Sequence, residues 1–429
     1  MYDLSIYTMA FRQDGKCYIY NSRSNFFSEI SEELYGALND QDWQALPNEV
    51  VEELLQREII LKKEDKYDYF YSRKIQFNTG CYDSAVLNLV IAPTTACNFA
   101  CPYCFESKTN PKTIDDCTIN KLVDFVKGQT NAKSLNITWY GGEPLLAFDK
   151  IKKIYNLLSE ENMPAISWQA IVTNGYCFND EVITFFKENG CRFIQITIDG
   201  LYEKNDATRC LKCNENGTFN VIIKNIDRLV QRLPDTDINI RVNINKINYK
   251  ELVAVTNFFK DRYPGNKRIG VYPCIIRQEN KDMRSMCSSA FVESEMLSLN
   301  NLLRKEGFRV SDFPNKKTRG CMMHDTNSFL IGPEGEIYKC WNDIGRAETV
   351  IGNIADKALK NESRYIKYTV QATPFNDECK NCHAFPICDG GCSHYRYRNM
   401  FEGCHFDLCS PYKDKEKLKK ALLSGEFEV

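Results

Sequence analysis

With 429 residues, the chain is long enough for about two to four domains and a sizeable core. Fifty-five basic against 57 acidic residues leave a net charge of -2, which gives no basic footprint for nucleic acid, and no run approaches the roughly 18 apolar residues of a membrane span. The start, Met1-Tyr-Asp-Leu-Ser5, lacks a basic segment followed by an apolar run, so a cytoplasmic location is expected; thiols stay reduced there, and metal ligation is the natural use for at least half of the 20 cysteines.

In chain order, residues 1–80 carry no cluster of ligand-type residues. Leu4 to Phe11 and Lys16 to Tyr20 read as strands joined by the turn Gln13-Asp-Gly15. Helices follow at Ser31 to Leu38, with Ser31 as N-cap, and at Asn48 to Ile60, where Val50, Val51, Leu54, Leu55 and Ile59 share one face. Strands then short helices describe a small winged-helix-like unit, with Tyr20 to Phe26 as the strand-to-helix junction. The unit resembles the peptide-recognition element fused to many enzymes that modify ribosomally made peptides, which implies a leader peptide adding a strand to the sheet edge. A structural cap on the next domain is the alternative.

Residues 81–276 alternate apolar strands with amphipathic helices. Strands are predicted at Val86 to Ile91, Leu135 to Tyr140, Ser167 to Thr173, Phe193 to Ile198, Ile238 to Asn243 and Arg268 to Tyr272. Helices fall between them at Asp115 to Gly128, Asp149 to Ser159, Asp180 to Asn189, Phe219 to Leu233 and Tyr249 to Asp261. That alternation predicts an α/β fold whose parallel sheet is a partial (β/α)6, TIM-like barrel, with ligand chemistry at the carboxyl ends of the strands.

The first strand runs directly into Cys97-x3-Cys101-x2-Cys104. Three soft thiolates in one turn suit an iron-sulfur cluster. Zinc prefers four ligands, and here the next cysteine is Cys117 and the first histidine His324, so the missing fourth ligand argues for a cluster with an open iron. With Tyr103 just before the last cysteine, the motif resembles that of the radical S-adenosylmethionine (radical SAM) enzymes. The resemblance implies that Cys97, Cys101 and Cys104 hold a 4Fe-4S cluster whose open iron chelates SAM. Gly141-Gly142-Glu143 after the second strand matches the family motif that holds the SAM amino group. Asn174 and Thr197, at the ends of the third and fourth strands, resemble its contacts to the SAM ribose and methionine. Arg209 and Arg241 are the candidates for the SAM carboxylate, a surface role being the alternative for each.

Residues 277–320 are polar and read as a bridge containing a helix near Phe291 to Lys305. In residues 321–429, Cys321 and Cys340 are followed by Cys379-x2-Cys382-x5-Cys388-x3-Cys392, then Cys404 and Cys409. Cys-x2-Cys is also a zinc spacing, but the whole pattern resembles the SPASM extension of radical SAM enzymes, a C-terminal iron-sulfur domain. By that resemblance Cys321, Cys340 and Cys392 hold a first auxiliary cluster, and Cys379, Cys382, Cys388 and Cys409 a second. Asn315 stands where some relatives carry a further first-cluster ligand, so that cluster either keeps an open iron or takes Cys404. Cys17, Cys81, Cys117, Cys177, Cys191, Cys274 and Cys287 read as buried thiols, and Cys210-x2-Cys213 as part of a polar loop.

The resemblance covers the chain from Ala85 onward and implies three 4Fe-4S clusters, SAM and a low-potential reductant such as flavodoxin or ferredoxin. It further implies SAM cleavage to a 5'-deoxyadenosyl radical that abstracts hydrogen from carbon, with auxiliary clusters suited to take the electron left on the substrate. The expected substrate is a ribosomally made precursor peptide with its leader, and the expected product an intramolecular crosslink, a thioether ahead of a carbon-carbon bond. Two alternatives stand. One is an anaerobic sulfatase maturase, in which an aspartate typically follows the cysteine matching Cys340, where this chain has Trp341. The other is a non-catalytic electron-transfer or iron-sulfur assembly protein, which needs no SAM pocket. No catalytic acid or base is assignable.

Overall fold

The computed structural model describes residues 2–104, 106, 110–213, 217–276, 295–306, 314–317, 320–356 and 359–424. Cys287 and most of the bridging segment therefore lie outside the described residues. Two compact units divide the chain: Met1–Tyr82, Val292–His324 and Tyr368–Val429 form one, and Asp83–Phe291 and Asp325–Lys367 the other.

The first unit begins with β1 (Tyr2–Leu4), β2 (Thr8–Gln13), β3 (Lys16–Asn21), β4 (Phe26–Ile30), α1 (Glu32–Asp40), α2 (Asn48–Gln56), β5 (Ile60–Lys62) and α3 (Asp68–Cys81). Strands β2, β3 and β4 make an antiparallel sheet, and β1 pairs with β5. The Tyr20 to Phe26 stretch is not a strand-to-helix junction. Asn21 Oδ1 accepts the N–H groups of Arg23 (2.8 Å) and Ser24 (2.9 Å), an Asx turn that sends the chain back into β4. The Ser31 cap is present, its hydroxyl accepting the N–H of Leu34. Helix α2 stops short of Ile60 because Glu58 takes a left-handed φ of 59°, which frees Ile60 to pair with Leu4. Val50, Val51, Leu54 and Leu55 of α2, with Ile59 just beyond its end, join the core that includes Ile19 of β3.

Met9, Phe11 and Tyr20 of the sheet share a hydrophobic core with Ala384, Ile387, Leu418 and Leu422, residues more than 350 positions away, and Cys382 packs against it. A neighbouring core joins Tyr7 and Phe70 to Phe385, with Cys379 and Cys382 at its edge. Two polar ties accompany this packing. Ser22 Oγ donates to the carbonyl of His383 at 2.5 Å, and Arg73 of α3 forms a buried ion pair with Asp389 at 3.3 Å.

The second unit is built on a nine-stranded sheet. Its parallel strands β6 (Val86–Ile91), β7 (Ser134–Trp139), β8 (Ala165–Thr173), β9 (Phe193–Thr197), β10 (Asp237–Ile244) and β11 (Ile269–Ile275) lie side by side in chain order. Helices α4 (Asp116–Lys127), α5 (Phe148–Leu158), α6 (Asp180–Glu188), α7 (Glu203–Thr208), α8 (Phe219–Arg232) and α9 (Lys250–Arg262) alternate with them. Period-two burial puts Leu87, Leu89 and Ile91 of β6, with Leu135, Ile137 and Trp139 of β7, fully inside. Asn88, Asn136 and Arg241 alternate onto the other, half-buried face. The six strands are those expected from sequence. The sheet goes further, with β12 (Ser328–Ile331) parallel to β6, then β13 (Glu336–Tyr338) and β14 (Gly352–Asn353) antiparallel. Among the described residues, no helix is long and apolar enough to cross a membrane.

Candidate active site

The loop after β6 carries Cys97 and Cys104, half-buried, and Cys101, buried. The three thiols converge: burial pushes the Cys97 thiol up to about 12, the Phe99 N–H on its sulfur (3.4 Å) opposes, and Glu143, Cys101 and Cys104 push the same way as burial. Cationic iron would relieve that mutual repulsion. The loop is held from below by a short antiparallel pairing. Ala100 N donates to Cys210 O at 3.0 Å and Lys212 N to Asn98 O at 2.8 Å, around the Phe99–Leu211 bridge. Cys210 thus lies in a segment that clamps the cysteine loop and not in a free polar loop.

Gly141 and Gly142 follow β7. Gly141 has φ +120°, outside the range of other residues, and a Cβ on Gly142 would stand 2.6 Å from the carbonyl of Thr95 and nearer still to that of Ala96. Their backbone therefore lies directly against the loop that carries the cysteines. Gly142 N donates to Thr94 O (3.2 Å) and Glu143 N to Ala96 O (2.8 Å).

Glu143 is completely buried. Its Oε1 accepts Leu145 N (3.0 Å) and Thr173 Oγ1 (2.8 Å), and its Oε2 accepts Asn174 N (2.7 Å). Burial raises its pKa, and the hydrogen bonds from Asn174, Thr173 and Leu145 oppose the rise. The carboxylate thus locks the ends of β7 and β8 together, a role its position in a Gly-Gly-Glu turn does not disclose. Asn174 extends the lock by donating from Nδ2 to Asn98 Oδ1, 2.8 Å away in the cysteine loop.

The two arginines have different surroundings. Arg209 is buried, and its Nη1 donates to the Tyr103 hydroxyl at 2.7 Å. Tyr103 in turn donates to the buried carboxylate of Asp199, which Thr208 Oγ1 also reaches at 3.2 Å. Burial lowers the Arg209 pKa, but Tyr103, Cys101 and Asp199 outweigh it and hold the guanidinium firmly charged. Arg241 on β10 donates from Nε to Asn243 Oδ1 at 3.0 Å. Burial lowers the Arg241 pKa, but Cys274, Tyr272, Tyr140 and Tyr103 outweigh it and keep the guanidinium charged. Thr197 is its register partner across the β9–β10 pair and is buried. Tyr140 stacks edge-on against Trp341 with centroids 4.7 Å apart; burial raises its pKa, Glu106, Cys104 and Cys340 add to the rise, and Arg241 opposes it. Asn98 and Tyr140 are structural members of the site that sequence reading did not single out, whereas Thr173 and Asp199 belong to the strand-end stretches it did.

In the first unit, Cys379, Cys382, Cys388 and Cys409 line one cavity of about 80 Å³. Burial pushes the Cys379 thiol up to about 11, with Cys388, Cys382 and Cys409 adding to it and Arg396 opposing. Lys413 Nζ lies 3.4 Å from Cys409 Sγ. Four convergent thiols with two cations beside them have the donor chemistry of an iron-sulfur centre. Cys321, Cys392 and Cys404 belong to this unit and Cys340 to the other. His383 Nε2 lies 3.1 Å from the carbonyl of Tyr412, and His324 Nε2 2.6 Å from Ser393 Oγ. Of the isolated cysteines, Cys17, Cys81 and Cys191 are buried, whereas Cys117 is exposed.

Residues 91–259 match the Radical SAM superfamily. The chain carries a radical SAM domain. Its sequence is 27% identical over 356 residues to the cysteine-type anaerobic sulfatase-maturating enzyme of Clostridium novyi (strain NT), covering 76% of this chain and 93% of that relative. Native anSMEcpe with bound AdoMet and Kp18Cys peptide shares its fold with a TM-score of 0.60 at 21% identity, over 79% of this chain and 97% of that one. Streptococcus suis SuiB bound to precursor peptide SuiA gives a TM-score of 0.51 at 15% identity, over 96% of this chain and 98% of that one. This radical SAM chain is thus similar in sequence to a sulfatase-maturating enzyme and similar in fold to a protein bound to its precursor peptide.

Proposed function

We propose that this enzyme matures a ribosomally made precursor peptide, taking hydrogen from a side-chain carbon and closing an intramolecular crosslink, a cysteine-to-carbon thioether ahead of a carbon-carbon bond. The observation that carries the reading is coverage: the SuiB fold spans 96% of the chain and the anSMEcpe fold 79%. The three-stranded sheet β2–β4 fits the first comparison, because among the described residues its outer strands pair with no further strand and a leader peptide could add one.

The residues present fit the cofactors this reading needs. Cys97, Cys101 and Cys104 would hold the SAM-binding cluster, and Cys379, Cys382, Cys388 and Cys409 an auxiliary one. The first auxiliary cluster rests on the resemblance alone. When bound, reduced cluster and SAM supply hydrogen abstraction, with electrons from a carrier such as flavodoxin or ferredoxin. Gly141 and Gly142 bring bare backbone to the open side of the cysteine loop. Because Glu143 already accepts three hydrogen bonds, it has one of about four acceptor positions left for an amino group. Arg241 suits the SAM carboxylate better than Arg209, whose charge is committed to Tyr103 and Asp199.

Sulfatase maturation is the second reading, favoured by the sequence likeness to the Clostridium novyi enzyme. Trp341 in place of the aspartate weighs against it. Mass spectrometry of precursor peptides encoded beside the gene decides, after anaerobic incubation with the enzyme, SAM and reductant. Loss of a hydrogen pair with a cysteine turned resistant to alkylation supports the thioether. The same loss with all cysteines alkylatable refutes it, and formylglycine in a sulfatase peptide establishes the second reading.

A further inference from the structure

Beside the cysteine loop, within the second unit, lies a cavity of about 310 Å³ lined by Thr95, Glu106, Lys112, Glu334, Tyr338, Ile344 and their neighbours. That volume is at the lower end of ligand pockets, which run from roughly 300 to 1,000 Å³. Glu106 stands two residues beyond Cys104, and its Oε2 is shielded from solvent with no hydrogen-bond partner among the described residues. A shielded carboxylate oxygen left unpaired is costly, so the group calls for a donor.

The other charges in the wall are already engaged. Lys112 Nζ pairs with Glu334 at 3.2 Å, and Glu336 Oε2 accepts the Glu334 N–H at 2.9 Å. Glu334 and Glu336 outnumber Lys112 in this wall, and Glu106 adds a third carboxyl. The remaining wall includes Pro333, Ile344, Ala347 and Val350. An acidic end with apolar sides fits a long cationic side chain, whose methylene stem lies on apolar surface while its head meets a carboxylate.

We propose that this cavity is a subsite for a lysine or arginine side chain of the substrate, with Glu106 as the residue that selects the charge. The inference deepens the peptide reading above and rests on it for the identity of the ligand. Its test uses small probes, so that it stands apart from that reading. Binding of Nα-acetyl-lysine amide and Nα-acetyl-norleucine amide is measured by NMR or calorimetry on the reconstituted full-length enzyme, wild type, Glu106→Gln and Glu106→Asp, with SAM affinity measured alongside. The wild type should prefer the lysine probe by about tenfold, the loss of one charged pair in a partly solvated site. Glu106→Gln should abolish that preference and Glu106→Asp should retain part of it. Equal binding of both probes by the wild type, or an undiminished preference in Glu106→Gln, overturns the proposal. So does a fall in SAM affinity in Glu106→Gln with the probe preference intact, which would assign Glu106 to the cofactor. A lysine preference in an enzyme that modifies no peptide would leave the subsite standing and remove the peptide reading.

Discussion

Glu143→Ala tests the claim that this carboxylate is a structural lock as much as a cofactor contact. Truncation removes the acceptor of three buried donors, the N–H groups of Leu145 and Asn174 and the hydroxyl of Thr173. Thr173 can rotate toward another acceptor, but the two backbone N–H groups cannot. At about 1–3 kcal/mol for each buried donor left unsatisfied, the loss comes to roughly 2–6 kcal/mol. That is a large share of a typical domain stability of about 5–15 kcal/mol. Glu143→Gln keeps the shape and one carbonyl acceptor, but turns an NH2 group toward donors at the other position, so about 1–3 kcal/mol is lost. The assay is urea unfolding of each variant under anaerobic conditions, with SAM affinity measured on reconstituted protein. The expected order of stability is wild type, Glu143→Gln, Glu143→Ala. An alanine variant that unfolds within about 0.5 kcal/mol of wild type and loses only SAM binding would refute the lock and leave Glu143 a ligand contact alone.

Gly142→Ala should displace the cysteine loop, because its Cβ has no room against the carbonyls of Thr95 and Ala96. The variant, anaerobically reconstituted, is expected to bind about four fewer irons than wild type, and an undiminished iron content would show that the loop yields without losing its ligands. Removing residues 1–80 should destabilise the rest of the unit they belong to. It strips Met9, Phe11 and Tyr20 from the core they share with Ile387 and Leu418, and takes Arg73 from Asp389. Burial of each of the three large side chains is worth about 1.5–3 kcal/mol, and loss of a buried ion-pair partner costs about 3–5 kcal/mol. If Cys379, Cys382, Cys388 and Cys409 hold iron as proposed, the truncated chain should lose about four irons. A truncated protein with full iron content and unchanged unfolding would restore the N-terminal segment to a separable module.

The cysteine loop and the six parallel strands were legible because their signals are local. Cys97, Cys101 and Cys104 fall within eight residues, and strand and helix periods show in any short window. The Ser31 cap and the apolar face of α2 were readable for the same reason. The strand β4 escaped because the Asn21 side chain, and not a glycine or proline, turns the chain before it. Glu143, Tyr103 and Arg209 were visible as residues, but their partners Thr173, Asn174 and Asp199 come from other strand ends, and no sequence period relates them. The sequence by itself determined the six parallel strands, the spacing of the cysteines in the loop after the first of them, and the end of the sheet where that loop lies. Only the tertiary structure decided that the N-terminal sheet and the segment bearing Cys382 share one core, and that strands from residues 328–353 extend the barrel sheet. The physical reason is that hydrophobic burial is non-directional and blind to sequence separation, so a half-covered apolar face takes whichever distant segment fits it.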